Sequence, residues 1–160
     1  MKQRLGVRLS SAMLFLFLAT VTLGQSPKAK LPSLKPQPSP RAVVTEHLDA
    51  LNHCDFNRLM AQYPEDAELF FPGGSDAIGR ANVARLFSGV VKPLSQGGVC
   101  GLRFEQVRSL VVGNTVVVHW RVVGDALAKP YEGSDAYITR NGLMVSQVST
   151  FQAQDMQKKK

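Results

Sequence analysis

The sequence is poor in the residues that most directly announce chemistry. It holds three histidines, two cysteines and one tryptophan in 160 residues. His47 and His53 are spaced so that they do not share a helical face, and His119 stands far away, so no metal is indicated. Neither Cys54 nor Cys100 belongs to a Cys-x-x-Cys motif, which sets thiol redox chemistry aside. No Gly-x-Ser-x-Gly elbow is present to seat a Ser-His-Asp triad. No glycine pattern opens a helix after a strand, and no cofactor is expected.

Basic charge on the folding part is scarce too, although the formal net charge is +7. Lys2, Arg4 and Arg8 lie in the leader, Lys28, Lys30, Lys35 and Arg41 around a proline-rich stretch, and Lys158, Lys159 and Lys160 at the end. Residues 42–157 are therefore net acidic, with all 12 Asp and Glu on that part. A nucleic-acid binder concentrates cations on its fold, so no nucleic-acid partner is expected.

What is present begins with a leader. The three cations precede an apolar stretch, Leu9 to Leu23, and Thr22-Leu23-Gly24 offers small residues before Gln25. Residues 1–24 read as a secretory signal peptide, with a retained N-terminal anchor as the alternative. No cysteine follows to carry a lipid. The expected localisation is secreted or periplasmic, with no membrane association after cleavage. Residues 25–40 carry prolines 27, 32, 36, 38 and 40 and read as an extended, solvated linker. A folded domain is expected over 41–152, followed by a solubilising basic tail over 153–160. Cys54 and Cys100 either pair in an oxidising compartment or stay as two buried thiols.

Ser39 and Pro40 open a helix whose apolar positions include Val44, Leu48 and Leu51. Asp55 caps a second helix over 56–63, stopped by Pro64. A short strand over 67–71 ends at Pro72-Gly73-Gly74, and a third helix spans 79–91. Then the period changes to strands over 102–112, 115–123, 131–139 and 143–151. Asn141-Gly142 supplies the turn of the last hairpin, since both central positions of a type I′ turn need positive φ. Helices first and antiparallel strands after mean α+β, with helices on one face of a curved sheet. Residues 115–123 carry apolar side chains at both parities, so the other sheet face is expected to meet a second subunit, giving a homodimer.

The run from Cys54 through Leu69 resembles the helix–helix–strand opening of SnoaL-like domains in the nuclear-transport-factor-2-like superfamily. Pro72-Gly73-Gly74, Gly79-Arg80-Ala81-Asn82-Val83, Gly133-x-Asp135 and Asn141-Gly142-Leu143-Met144 match that family's later loop, third helix and final hairpin. The resemblance implies a cone-shaped, cystatin-like α+β barrel whose sheet wraps the N-terminal helices and encloses an apolar pocket. Members include polyketide cyclases, dehydratases, isomerases, epoxide hydrolases and non-catalytic binding domains, so the fold does not choose a reaction. Steroid-isomerase members carry a catalytic Asp before the Pro that follows the first strand; Phe71 stands there, so that base is missing.

Asp135 is the candidate catalytic residue. The resemblance implies a general acid/base at this position, and desolvation in a pocket would raise its pKa toward neutral. The bland alternative is a solvent-facing Asp at a sheet end. Tyr137, two residues on, shares its strand face. Tyr63, Phe87 and Trp120 are the other candidate pocket residues, with plain core packing as the alternative. His119 and Arg121 alternate with Trp120 and are expected on the opposite face; in the reversed register they would converge with Asp135 as a hydrolase-like polar cluster. The leading reading is a domain that binds a small apolar molecule. A cyclase or dehydratase working through Asp135, and a non-catalytic association domain, are the alternatives.

Overall fold

The computed structural model describes residues 30–159. The proposed leader, and the linker as far as Ala29, lie outside the described residues. Three helices come first, α1 (Pro40–Asn52), α2 (Phe56–Met60) and α3 (Arg80–Val90). The strands are β1 (Glu68–Phe70), β2 (Ala77–Ile78), β3 (Arg103–Val112), β4 (Thr115–Val123), β5 (Tyr131–Arg140) and β6 (Leu143–Thr150). They form one sheet in the order β2-β1-β6-β5-β4-β3.

Local chemistry explains the helices. The Ser39 side chain accepts from Ala42 N and Pro40 takes the first helical position, so α1 starts where expected. Asp55 accepts from Arg58 N and caps α2. The second helix is shorter than expected, ending at Met60 with Ala61 as its C-cap, three residues before the Pro64 that no helix here could pass. α1 lays Val43, Val44, His47, Leu48 and Leu51 against the sheet.

The α+β expectation holds, with two differences of detail. The sheet is curved and open rather than a closed barrel, since β2 and β3 remain its edges. It is also mixed: β1 runs parallel to β6, while the remaining neighbours are antiparallel. The proline-rich stretch is largely exposed over residues 33–39 and is tied to the domain by backbone hydrogen bonds. Lys35 N donates to Ala61 O and Gln37 N to Gly142 O, both at 2.8 Å. The nearly buried Arg80 guanidinium donates to Pro32 O. Gly142, with φ 75°, has Gln37 O where a Cβ would stand, at 2.3 Å. A strap thus crosses the final hairpin turn, and only glycine admits it there.

Cys54 and Cys100 are joined by a disulfide. It ties the end of α1 to the loop that leads into β3.

Candidate functional site

Register decides which side chains meet beneath α1. On β4, Val116, Val118, Trp120 and Val122 point inward and are buried. Across from them on β5, Val118 pairs with Asp135, Val116 with Tyr137, and Trp120 with Gly133. Gly133 permits a close approach: a Cβ there would stand 2.3 Å from the Trp120 ring. On β6, Gln147 pairs with Tyr137 and Ser149 with Asp135. Asp135, Tyr137, Gln147 and Ser149 therefore form one polar block on the inner face.

Between this block, α1 and α3 lies a cavity of about 370 Å³. Its walls are largely apolar, with Leu48 and Leu51 from α1, Leu86 and Phe87 from α3, and Trp120 and Tyr131 from the sheet. Its polar end comprises His47, Asp135, Tyr137, Gln147 and Ser149. The tail contributes as well. Its described part folds back, and Met156, with Phe151 just before the tail, lines the cavity. Ala128 N donates to Gln157 O at 2.8 Å and Lys159 N to Ala126 O at 2.9 Å, which holds the tail against the loop between β4 and β5.

The polar end is tightly wired. The Tyr137 hydroxyl donates to Asp135 Oδ2 at 2.7 Å. Gln147 Nε2 reaches the same oxygen at 3.4 Å and Ser149 Oγ at 3.0 Å. Gln147 Oε1 accepts from the Tyr63 hydroxyl at 3.2 Å, and that hydroxyl lies 3.2 Å from His47 Nδ1. Three buried polar atoms at the cavity have no hydrogen-bond partner: Trp120 Nε1, Tyr131 Oη and Asp135 Oδ1. Such orphans are rare in folded proteins and gather where a site has a use for them.

Burial dominates the electrostatics. It pushes the Asp135 carboxyl above its ordinary value, while the Tyr137 hydroxyl, the Trp120 N–H from outside hydrogen-bond geometry, and Ser149 and Gln147 pull the other way. It pushes His47 down to about 3, so the imidazole is neutral. Burial also raises the Tyr63 and Tyr137 hydroxyls well above theirs, with the nearby Asp135 charge adding to it. A carboxyl with a raised pKa in an apolar cavity keeps its proton to higher pH than an exposed one, whereas the imidazole, pushed down by burial, takes up no proton at neutral pH. Among the described residues no three His, Cys, Asp or Glu side chains gather as metal ligands would.

Of the residues singled out from the sequence, Asp135, Phe87, Trp120 and Tyr137 line this cavity together. Tyr63 does not: it is fully buried behind the wall and meets the site through His47, Gln147 and the Phe87 ring. His119 and Arg121 lie on the opposite face, His119 near Ser134 and Glu132, Arg121 paired with Glu105. Sequence reasoning passed over His47, Gln147 and Ser149. His47 stands within the apolar stripe of α1, three residues after Val44 and four before Leu51, and this was its signal.

The fold and site have counterparts among known proteins. The model of the SnoaL-like domain matches residues 44–155. The chain belongs to the SnoaL-like domain family. Similar solved structures include an NTF2-like protein of unknown function from Cytophaga hutchinsonii, at 18% identity and a TM-score of 0.59, covering 76% of this chain and 97% of that one. A candidate polyketide cyclase from Sinorhizobium meliloti is also 18% identical, with a TM-score of 0.55 over 68% of this chain and 93% of that one. A candidate ketosteroid isomerase from Kribbella flavida, again 18% identical, has a TM-score of 0.56 over 71% and 77%. Likeness at this identity shows the fold alone. No curated protein matches. The SnoaL-like domain thus places this chain in a fold related to cyclases and isomerases. At the position before Pro72, Phe71 sets an aromatic ring into the cavity wall.

Proposed function

We propose that this SnoaL-like domain binds a small, largely apolar molecule in the cavity beneath α1, in an oxidising compartment outside the cytoplasm. The observation that carries the binding is the cavity itself: apolar walls, one polar end, and buried polar atoms of Trp120, Tyr131 and Asp135 around it that have no partner among the described residues. The Cys54–Cys100 disulfide supports the compartment. A thermal-shift screen of the purified protein with aromatic polyketides, steroids and terpenoids is the test. A ligand at a hundred times its Kd adds about 2.7 kcal/mol, which raises the midpoint by several degrees. A flat screen across all three classes would remove the reading.

Turnover is a second reading, favoured by the buried Asp135 carboxyl in the cavity wall. For any ligand that is also converted, Asp135→Asn is expected to lower the rate by about a hundredfold or more, as loss of a general acid/base does. An unchanged rate would release Asp135 from that role.

The outer sheet face supports self-association. Leu110, Val117, Ala136, Val148 and Phe70 stand opposite one another on β3, β4, β5, β6 and β1 and form an apolar row. Leu110 is 61% exposed and Val117 and Val148 40% each. A symmetric pair would cover this row with its own copy. Sedimentation is expected to show a dimer that Val117→Glu dissociates; a monomer at tens of micromolar (about −6 kcal/mol or weaker) would count against it.

A further inference from the structure

The hydrogen bonds at the polar end of the cavity allow each proton to be placed. Asp135 Oδ2 already accepts from Tyr137, so Gln147 can turn only its NH₂ toward that oxygen. Gln147 Oε1 then faces Tyr63 and can only accept, which commits the single Tyr63 proton to it. The Tyr63 oxygen can therefore meet His47 Nδ1 only as an acceptor, and Nδ1 must carry the hydrogen. When Asp135 is protonated the same wiring holds with the proton on Oδ1, whereas a proton on Oδ2 would donate to Gln147 and reverse the relay. Oδ2 receives two donors, so the proton sits on Oδ1, which has no partner.

With Nδ1 occupied and the ring neutral, the remaining nitrogen of His47 has a free lone pair. His47 lines the cavity while its partner Tyr63 lies behind the wall. Around the imidazole stand Tyr63, Phe87 and Tyr137, at ring-centre distances of 6.1, 5.9 and 5.4 Å. None is cationic, and Asp135 and Gln147 lie one hydrogen bond further on.

We propose that Asp135, Gln147 and Tyr63 hold His47 in its Nδ1–H form, so that Nε2 faces the cavity as a bare acceptor and selects a neutral ligand whose buried end donates a hydrogen bond, an alcohol, phenol or enol. A carboxylate would set its lone pairs against both Nε2 and the Asp135 carboxyl. An ether or ketone brings no donor and leaves the buried nitrogen unsatisfied. An ammonium would lose its water to apolar walls. His47 is thus a specificity-determining residue, and Gln147 and Tyr63 are positioning residues. This inference rests on the cavity being a binding site, but the relay behind it exists without a ligand.

Two measurements separate these parts. Long-range ¹H–¹⁵N correlation on the ¹⁵N-labelled protein reads the His47 tautomer directly. The Nδ1–H form is expected at pH 7 and unchanged at pH 5, with Tyr63→Phe giving a mixture of tautomers. An Nε2–H form or an imidazolium at pH 7 would overturn the relay whatever binds. Calorimetry with 2-naphthol, 2-methoxynaphthalene and 2-naphthoate tests the selection. 2-Naphthol is expected to bind about tenfold tighter than its methyl ether, with 2-naphthoate weakest and the tenfold ratio lost in His47→Phe. Equal binding of naphthol and ether, or tighter binding of naphthoate, overturns the selection. If none of the three binds while the Nδ1–H form is observed, the binding reading falls and takes the selection with it, and only the relay stands.

Discussion

Lowering the pH from 7 to 5 is expected to weaken the fold by about 2 kcal/mol through one residue, His47. The native imidazole is pushed down to about 3 by burial, while in an unfolded chain it titrates near the ordinary 6.5. Between those values the unfolded state binds a proton that the native state refuses, so stability rises with pH across that window and is lost as pH falls through it. Asp135 acts in the opposite sense. Its native pKa is raised, so the folded state binds the extra proton above the ordinary carboxylate value, and acid favours the fold at that site. The carboxylates paired with arginine, Asp49, Asp66 and the half-buried Glu105, have lowered pKa values and stay ionised throughout this range. Urea midpoints at pH 7 and 5, at constant ionic strength, are the measurement. The drop should vanish in His47→Leu combined with Tyr63→Phe, which removes the imidazole without stranding the tyrosine hydroxyl. It should grow in Asp135→Asn. The same drop in the double variant would show that another group carries the acid sensitivity.

The elements of this fold were legible because they rest on local signals. Ser39-Pro40, Asp55 and Pro64 mark helix ends by their backbone chemistry, and Asn141-Gly142 fixes a turn in which both residues have positive φ, 54° and 75°. Asp135 was legible as an unusual residue in a strand. Its neighbours on β6 were not. Counting pairs outward from the turn puts Val148 opposite Asp135 and leaves Gln147 and Ser149 on the far face. The register shifts between Ile138 and Thr139, so that Thr139 pairs with Met144 but Ile138 with Ser146. That bulge at Val145 exchanges the faces of the rest of β6 and brings Gln147 and Ser149 to the site. Nothing in Leu143 to Thr150 distinguishes the two registers, because polar residues occupy both parities. The strap and the folded-back tail were hidden for a related reason. Their contacts are backbone hydrogen bonds to distant loops, from Lys35 to Ala61 and from Lys159 to Ala126, and backbone groups leave no trace in residue type.

Opening the Cys54–Cys100 bond is expected to be the most damaging single change to stability. The bond spans 46 residues and holds a segment that includes α2, β1, β2 and α3. In the chain-entropy account, closing a loop of that length restricts the unfolded chain by about 4 kcal/mol, an upper value since residual unfolded structure reduces it. Against the 5–15 kcal/mol typical of whole domains (roughly), that is a large fraction. Its loss should lower the melting midpoint by about 10 °C or more in a domain of this size. The effect should also reach the cavity. Cys100 sits beside Val99, which lines the wall, and Cys54 follows α1, which supplies His47, Leu48 and Leu51. Freed of the bond, the loop before β3 keeps backbone contacts to the end of α3, Val99 N to Val90 O and Cys100 N to Lys92 O, the packing of Val99 and Leu102, and the Asn52–Phe104 hydrogen bonds between α1 and β3. Ligand affinity should therefore fall along with stability, and more than in a surface control variant. Thermal melts of the oxidised protein, the reduced protein and Cys54→Ala/Cys100→Ala make the comparison. The reduced protein and the double variant should melt together, well below the oxidised form. Coincident melting of all three would mean that the bond adds no constraint the packed helices do not already impose.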